Sequence, residues 1–535
     1  MFPSSAPIYC LSTDRRSRAL WLALCFWMIC SGAVLAEPVG EAPAWFDEYG
    51  QTPAVQQALE VLASAADDGL EPRDYDIDRL RTQLRKLAGA ADSPDAGQQN
   101  DVARALTATM IRFLRDLHYG RGDPRRLGAN YPRAADEFDA ERWLLKAVAE
   151  SRLDRAAGET APTHPQYAPL LAELARYRAL LGEHAWLSPL SPPPGGKLMP
   201  GQPYADLSRL SKRLQQLGDL PAGAVTAKHY EAALVDGVKS FQIRHALPAD
   251  GILAGPTLQQ LNVPPAARIQ QLILALERLR WTPLPDKRRH IEINIPEFML
   301  RAYDFRAGSR QQVLNMRVIV GKAGKMATPR FYTEMRTIEF SPNWNVPPSI
   351  AKGETLPRLR RDPGYLQRAG MEFVAADGRV AEYSPDNLDA VERGQLRLRQ
   401  KPGRSNALGQ IKFILPNTDG IYLHHTPTPQ LFRRDRRDFS HGCVRVEAPV
   451  DLATFVLANQ PAWSRERIVK AMAAGRSSYA SLSEALPVIV NYQSTVFRDG
   501  RLYFFSDIYA QDKNLELALQ QRAKYMQTVV NNHFD

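Results

Sequence analysis

The hydrophobic pattern of the chain changes near residue 283, and this change constrains the fold more than any other sequence feature. Before it, apolar residues recur at helical spacing in stretches such as 54–66, 77–87 and 102–118, with Gly and Pro at the breaks. After it, short runs of β-forming residues alternate with turn residues. The sequence therefore predicts a multidomain α+β protein with a helical front half and a β-rich back half.

The length of 535 residues allows about two to four domains. A Pro-rich stretch at 187–203 predicts a linker, which bounds a helical scaffold domain at 37–200. Two amphipathic helices at 207–217 and 230–245, a turn and a third short helix then predict a compact three-helix unit at 201–265. We expect Val238, Phe241 and Leu258 to form its core.

A connecting helix at 272–281 leads into the β-rich half. Strands are predicted at 290–295, 300–303, 313–320, 335–340, 409–415, 421–423, 488–492, 495–497 and 502–505. Between 352 and 400 the sequence is charged and irregular. It is either an inserted subdomain that covers a site or a long solvated excursion. The tail is predicted to be an amphipathic helix.

The first 36 residues have the pattern of an export signal. Three arginines precede the apolar run 19–36, which closes on Val34-Leu35-Ala36. An uncleaved anchor, with inner-membrane association, is the alternative, because the run is close to spanning length. Without the leader the net charge falls from +10 to about +8. A basic exported protein is more compatible with anionic cell-wall polymer than with nucleic acid.

Cysteine usage isolates one thiol. Cys10, Cys25 and Cys30 lie in the leader, so the remaining chain keeps Cys443 alone and can form no internal disulfide. A free cysteine is most often a small buried hydrophobe. The histidines around this one favour chemistry instead, because a nucleophilic thiol needs a base or cation and an anion-stabilising pocket.

The residues from 421 to 447 supply such groups. His424 ends a predicted strand 19 residues before Cys443 and is the candidate base. His425 is the alternative base, although strand alternation turns the two rings to opposite sides. Gly442 and Cys443 can offer backbone N–H groups to an oxyanion. His441 either polarises the thiol or holds the loop.

This segment resembles the L,D-transpeptidase (YkuD) signature, in which a His is followed after about fifteen residues by Ser or Thr and then His-Gly-Cys. The resemblance rests on His424, Ser440, His441, Gly442, Cys443, Val444 and Arg445. It extends through LERLRW, INIPEF, FSPNWNVPPSIA and FSDIYAQD. The three-helix unit resembles a small peptidoglycan-binding domain through Phe241, Gln242, Arg244, Asp250, Gly251, Thr257 and Leu258.

The resemblance implies a β-rich transpeptidase domain at 276–512, with a substrate-capping subdomain inserted at 354–403 and a C-terminal helix at 513–535. It also implies that Cys443 attacks the diaminopimelate carbonyl of a tetrapeptide stem, releases D-alanine and passes the acyl group to an amine. A second diaminopimelate is the favoured acceptor, and carbapenems would acylate the thiol. We expect a periplasmic monomer that needs no metal or other cofactor. The candidate substrate-binding residues are Arg445, Ser440, Tyr422, Asn406 and Trp344.

Two alternatives remain from the residues themselves. The histidines and Cys443 could hold zinc in a peptidoglycan amidase or peptidase, although the sequence has no HExxH pair. The chain could also be a wall-binding protein without catalysis. For Arg445, the alternative to substrate binding is a structural salt bridge.

Overall fold

Helices form the front half of the chain, as predicted. The structure, a computed structural model, describes residues 42–89, 96–132, 138–223, 228–285, 287–306 and 308–532. The front helices are α1 Pro53–Ala63, α2 Ile77–Ala88, α3 Ala96–Tyr119, α4 Ala140–Ala149, α5 Ala156–Thr160 and α6 Tyr167–Arg178. The short strands are β1 Phe46–Asp47, β2 Gly50–Gln51 and β3 Ala129–Asn130. Apolar side chains at helical spacing, such as Leu106 and Phe113, are fully buried between them.

The segment predicted as a linker packs against the unit that follows it. Leu190 and Leu198 are buried in the same apolar cluster as the three-helix unit. The Leu198 N–H donates to the Leu253 carbonyl at 3.0 Å. The stretch predicted as a linker is therefore ordered against the unit that follows it, because a Pro-rich composition does not prevent its leucines from being buried.

The three-helix unit is present, with α7 Leu207–Gln216, α8 Ala232–Arg244 and α9 Gly255–Leu261. Val238 and Phe241 are fully buried in its core, and Leu258 packs against them at the edge. The next helix, α10, runs from Pro265 to Trp281 and so begins earlier than predicted. Its Glu277 accepts hydrogen bonds from the N–H groups of Arg121 and Gly122, which ties α10 to the scaffold helices.

The back half is built on a sheet whose first and last strands pair with each other. The strands are β4 His290–Asn294, β5 Met299–Arg306, β6 Ser309–Gly321, β7 Arg330–Phe340, β8 Trp344–Asn345, β9 Met371–Val374, β10 Val380–Ala381, β11 Arg397–Gln400, β12 Ile411–Ile414, β13 Leu423–His424, β14 Asp438–Ser440, β15 Val444–Val446, β16 Ser478–Asn491, β17 Thr495–Arg498 and β18 Arg501–Phe504. The order is β12-β13-β15-β6-β5-β4-β16-β7, and β12 also pairs with β7. The sheet thus closes into a barrel around one apolar core.

Further helices lie between and after these strands. They are α11 Pro348–Ile350, α12 Leu356–Arg361, α13 Tyr365–Arg368, α14 Pro385–Glu392, α15 Pro449–Val456, α16 Arg465–Met472 and α17 Gln511–Asn532. A π-helical turn at Ala351–Thr355 joins α11 to α12. The predicted tail helix corresponds to α17, whose Arg522 contacts Asp116 on α3.

The stretch interpreted as charged and irregular is an ordered subdomain. Strands β10, β9, β11 and β8 form a separate four-stranded sheet. Leu356, Phe373 and Leu398 are buried in its own apolar cluster, apart from the barrel core. This fits the predicted inserted subdomain and not the long solvated excursion. Its individual strands were not predicted, because two- to four-residue strands are too short to display a clear alternation.

Contacts between these regions are extensive, and Ala44–Asp535 forms one unit. Strand β3 pairs with β7, and Arg244 of α8 donates to the Leu502 carbonyl of β18. Within the described residues, no helix is both long and apolar enough to span a bilayer. The predicted signal peptide at 1–36 lies outside the described residues.

Candidate functional site

The pairing of two short strands places four candidate residues on the outer face of the barrel. Strands β13 and β15 are parallel, with His424 opposite Arg445, and the Val444 N–H donates to the Tyr422 carbonyl at 3.1 Å. The alternate residue Leu423 is fully buried in the barrel core. Because side chains alternate along a strand, Tyr422, His424, Cys443 and Arg445 share the opposite face.

The loop that carries the thiol is braced by its own side chains. The Ser440 hydroxyl accepts from the Gly442 N–H at 3.2 Å and donates to the Cys443 carbonyl at 2.5 Å. The Gly442 carbonyl accepts from the Thr328 hydroxyl at 2.7 Å. Gly442 has a φ of +116°, and a Cβ there would lie 3.2 Å from Ile421 Cδ1, so both conformation and space favour glycine.

This bracing changes which groups are available to a ligand. Ser440 is buried, and its hydroxyl is hydrogen-bonded within the loop, so it is not a substrate contact in this arrangement. The Gly442 N–H is likewise occupied. The Cys443 N–H has no acceptor within the described part of the chain. It is the loop donor that can still meet a developing oxyanion.

The thiol of Cys443 is half-buried, with Sγ 3.8 Å from the Gly420 carbonyl. The side chains of Tyr422 and Cys443 interact, as do those of Tyr422 and Trp344 of the inserted subdomain. Burial raises the pKa of the Cys443 thiol, while Tyr422, Lys412 and Arg445 oppose that rise. Two of the candidate substrate-binding residues, Tyr422 and Trp344, thus lie one after the other beside the thiol.

His424 is buried beside Arg445. Its Nδ1 lies 2.6 Å from the His425 carbonyl, which can only accept, so Nδ1 carries the proton and Nε2 is left without one. Burial lowers the pKa of His424 to about 3, and the Arg445 cation adds to this effect. A neutral imidazole results. Among the described contacts, none joins the His424 ring directly to Cys443.

His425 belongs to a different environment. Its Nδ1 accepts from the Gln410 N–H at 3.3 Å, and its ring packs so closely on Gly409 that a Cβ there would lie 2.6 Å away. Burial lowers the pKa of His425 as well. The ring therefore supports the turn before β12 rather than the outer face that carries the thiol.

His441 is exposed on the thiol loop and contacts the inserted subdomain. Its Nε2 lies 2.6 Å from Glu354 Oε1, and Glu354 is in the π-helical turn. Turns of this kind are frequent at functional sites. Together with the interaction between Trp344 and Tyr422, this contact joins the inserted subdomain to residues on both sides of the thiol.

Arg445 has no ion-pair partner among the described residues. Its side chain is half-buried, and its Nε is buried without a hydrogen-bond acceptor. Burial lowers the pKa of its guanidinium. A desolvated, unpaired guanidinium costs free energy unless a ligand anion compensates it, so the salt-bridge alternative from the sequence has no support here.

Lys412 is a residue of the site that the sequence analysis missed. It lies on β12 opposite His424, with its ammonium 4.4 Å from the centre of the Tyr422 ring and 3.9 Å from Glu339. The alternation of IKFI could have placed it on the outer face. Only the pairing of β12 with β13 places it beside the thiol.

Asn406 does not line the groove. Its side chain is fully buried and donates to the Pro342 and Lys401 carbonyls at 3.1 and 2.9 Å. These carbonyls stand where the chain enters and leaves the inserted subdomain. We therefore assign Asn406 to holding the base of that subdomain, in place of the expected substrate contact.

The histidines and the thiol do not form a cluster of metal ligands. Across the ranges that the structure describes, no group of three His, Cys, Asp or Glu side chains is placed to hold a metal ion. His424, His441 and Cys443 each have the separate partners given above. The arrangement is suited to nucleophilic chemistry on a substrate that carries carboxylates.

Three family models match separate parts of the chain. Residues 288–470 match the YkuD model, described as "L,D-transpeptidase catalytic domain". Residues 38–174 match the "Scaffold domain" model, and residues 204–261 match the model of a "Putative peptidoglycan binding domain". The first match contains all the outer-face residues described above.

One curated relative is a "Putative L,D-transpeptidase" of Haemophilus influenzae, 32% identical over 264 residues. The match covers 49% of this chain and 51% of the relative, so the chain spans about half of the relative's length.

Among solved structures, an L,D-transpeptidase from Xylanimonas cellulosilytica is 14% identical, with 56% of this chain and all of that one covered, at a TM-score of 0.17. A fused Zn-dependent amidase/peptidase/peptidoglycan-binding protein from Clostridium acetobutylicum is 10% identical, covering 55% and 99%, at 0.16.

Proposed function

We propose that the chain is a peptidoglycan L,D-transpeptidase with Cys443 as nucleophile, because separate parts of it match the models of an L,D-transpeptidase catalytic domain, a scaffold domain and a peptidoglycan-binding domain. One observation carries this proposal: a half-buried thiol shares a sheet face with an unpaired guanidinium, that of Arg445. A tetrapeptide stem offers that guanidinium a carboxylate. With that carboxylate bound, the scissile carbonyl of the stem can lie between the thiol and the free Cys443 N–H.

In the acylation step, His424 Nε2 accepts the thiol proton as sulfur attacks the diaminopimelate carbonyl. The new C–S bond forms a tetrahedral intermediate, and the Cys443 N–H donates to its oxyanion. The C–N bond to the terminal D-alanine then breaks. The proton on His424 passes to the leaving amine, which leaves a thioester on Cys443.

Transfer reverses these proton movements. An acceptor amine attacks the thioester and gives a proton to His424, and the C–S bond breaks as the proton returns to the thiol. A second diaminopimelate, which gives a direct cross-link, is the acceptor that we propose. Burial keeps His424 neutral, so an unprotonated ring nitrogen is present to accept a proton.

We further propose that the protein acts outside the cytoplasm, exported by the segment 1–36. Its three arginines and apolar run have the composition of a signal peptide. The three-helix unit is joined to β18 by the hydrogen bond from Arg244 to the Leu502 carbonyl, and β18 follows the barrel strand β16 in the chain, so a bound wall polymer would be held at a fixed position relative to the thiol.

The proposal is tested by intact mass after the full chain is mixed with a tetrapeptide-stem muropeptide. We expect an adduct on the wild type, absent from Cys443→Ala, and release of D-alanine. The matched control is Ser309→Ala, which removes a hydroxyl of β6 far from the thiol in sequence. An unmodified wild type, with zinc found by elemental analysis, would favour the amidase or peptidase instead.

Two finer proposals have separate tests. Mass spectrometry of the cross-linked muropeptides should reveal a bond between two diaminopimelate residues, and its absence would leave a lipoprotein lysine, a free D-amino acid or water as acceptor. A carbapenem should form an adduct on Cys443. An intact thiol after incubation with the drug, in protein that releases D-alanine, would contradict this sensitivity.

A further inference from the structure

The side chain of Lys412, on β12, contacts Tyr422, the neighbour of the thiol. It lies on β12, where the register sets it opposite Glu339 on one side and His424 on the other. Its alternates Ile411 and Phe413 are fully buried in the barrel core. The Lys412 side chain therefore extends over the same outer face as Tyr422 and Cys443.

The position of the ammonium is fixed by two contacts. It lies 4.4 Å from the centre of the Tyr422 ring, and its side chain is only 23% exposed. Glu339 Oε2 is 3.9 Å away, at the long limit of an ion pair, and Glu339 Oε1 accepts from the Ser477 hydroxyl at 2.8 Å. Desolvation strengthens a cation–π interaction, so this contact exceeds one at the open surface.

The ring under this cation lies beside the thiol. Cys443 immediately precedes β15, which pairs with β13, so its side chain and that of Tyr422 are neighbours on one face, and Tyr422 lowers the pKa of the Cys443 thiol. A cation over the face of a phenol withdraws electron density and makes its O–H a stronger donor. A stronger donor favours the thiolate over the thiol, as a neighbouring Lys or Arg does in other reactive cysteines.

We propose that Lys412 is a positioning residue of the reaction: through the Tyr422 ring it strengthens the hydroxyl's hydrogen bond to Sγ and so stabilises the Cys443 thiolate. This role rests on the proposed function of Cys443 as nucleophile. The other charged or titratable groups at the thiol are Arg445 on β15, neutral His424 on β13, Glu339 on β7 beyond Lys412, and His441 paired with Glu354. Of these, the cations Lys412 and Arg445 favour the thiolate.

The test is the pH dependence of alkylation by iodoacetamide, which reports the thiolate without any wall substrate. The full chain is used, and the Cys443 peptide is quantified by mass spectrometry so that Cys10, Cys25 and Cys30 do not contribute. We expect Lys412→Met to move the midpoint to higher pH by about one unit, an effect of roughly tenfold in rate below the midpoint. Lys412→Arg should keep the midpoint close to that of the wild type.

Two further variants define the route. Glu339→Gln removes the opposing charge and should move the midpoint to lower pH. In a Tyr422→Phe background, Lys412→Met should have at most about a third of its effect, because the hydroxyl through which it acts is gone. Lys239→Met, which removes an equal charge from an Asp236 pair in the binding unit, is the matched control.

Equal midpoints for wild type and Lys412→Met would overturn the proposal, as would an undiminished effect in the Tyr422→Phe background. If Lys412→Met does not fold, the midpoints of Glu339→Gln and Lys412→Arg still test the proposal. A Glu339→Gln midpoint that does not move to lower pH would contradict it. D-Alanine release is measured in parallel. A wild type that releases none, but whose alkylation depends on Lys412, would contradict the proposed function and leave this role intact.

Discussion

The outer face of the barrel and the three-helix unit both contain the polar residues by which their families were recognised, and the two regions use them in opposite ways. On the barrel, Arg445 keeps an unpartnered nitrogen and the Cys443 N–H has no acceptor within the described residues. In the unit, Gln242 donates to Asp250 Oδ1 at 2.8 Å and accepts from the Gly251 N–H at 2.8 Å, and Arg244 pairs with Asp219 while both are buried.

The difference separates residues that specify a fold from residues that meet a ligand. A buried polar group with every hydrogen bond satisfied inside the protein has nothing left to offer a partner. A half-buried group with unused donors can gain free energy only from a ligand or from water. The motif residues of the three-helix unit therefore explain its folding, and the wall contacts that we propose for it would come from other, exposed side chains.

The largest expected effect is on the stability of the binding unit. Arg244→Met should lower the free energy of unfolding by about 3 kcal/mol, because it leaves Asp219 buried with only the partly exposed Arg501 as counter-charge. Urea unfolding followed by circular dichroism measures this loss. D-Alanine release per folded molecule should stay within about twofold of wild type. A stable but inactive Arg244→Met would break the comparison.

Arg445→Met should have the opposite outcome. The charge-assisted hydrogen bond to a substrate carboxylate contributes about 1.5–3 kcal/mol, so kcat/KM for D-alanine release should fall roughly 10- to 150-fold. Stability should be unchanged or slightly higher, because the substitution removes a desolvated cation without a partner. Arg445→Lys should recover part of the activity and serves as the control. Unchanged kcat/KM combined with a lower unfolding midpoint would place Arg445 among the structural residues.

The sequence predicts most of the barrel but not the subdomain above it. The long strand β7 alternates buried and exposed residues over part of its length, as at Met335 and Arg336, so its pattern is visible in single residues. The strands of the inserted subdomain have two to four residues each, and their core forms by pairing β8 with β11, more than fifty positions later. No local pattern contains that information.

The same distinction applies to the site. Cys443 and His424 could be predicted as site residues because one short motif contains both. The contact of Trp344 with Tyr422, and that of Glu354 with His441, join residues about eighty positions apart and require the subdomain to fold back. Lys412 was missed because an isolated lysine in a predicted strand is usually solvated. Asn406 was included because a polar residue near the groove in sequence need not face it.

His245 sharpens the comparison, because a buried neutral histidine occurs in both regions. Its Nδ1 donates to the Phe241 carbonyl at 2.7 Å, and burial lowers the pKa of His245 well below its ordinary value. The folded chain thus binds fewer protons than the unfolded chain, and stability falls as pH drops below 6.5, by up to about 1.4 kcal/mol per pH unit.

His245→Phe should therefore flatten the decline of the unfolding midpoint between pH 7 and pH 5 without changing D-alanine release. Thermal unfolding at several pH values measures the slope. His424→Phe, by contrast, should lose activity, because it removes the proposed base. An identical pH slope in wild type and His245→Phe would mean that other groups, such as buried His164, cause the acid sensitivity.

The smallest expected effect decides what His441 does at the edge of the site. Glu354→Gln keeps an oxygen that can accept from His441 Nε2 but removes the charge, and an exposed pair of this kind contributes at most about 1 kcal/mol to stability. If the subdomain orients His441 for the reaction, kcat should fall about fivefold at an unchanged unfolding midpoint, and Glu354→Asp should restore part of it. Glu382→Gln, at an exposed carboxylate elsewhere in the subdomain, is the matched control. If Glu354→Gln instead leaves kcat unchanged, His441 only holds the loop, and unpartnered groups such as Arg445 remain the part of this face that acts on the substrate.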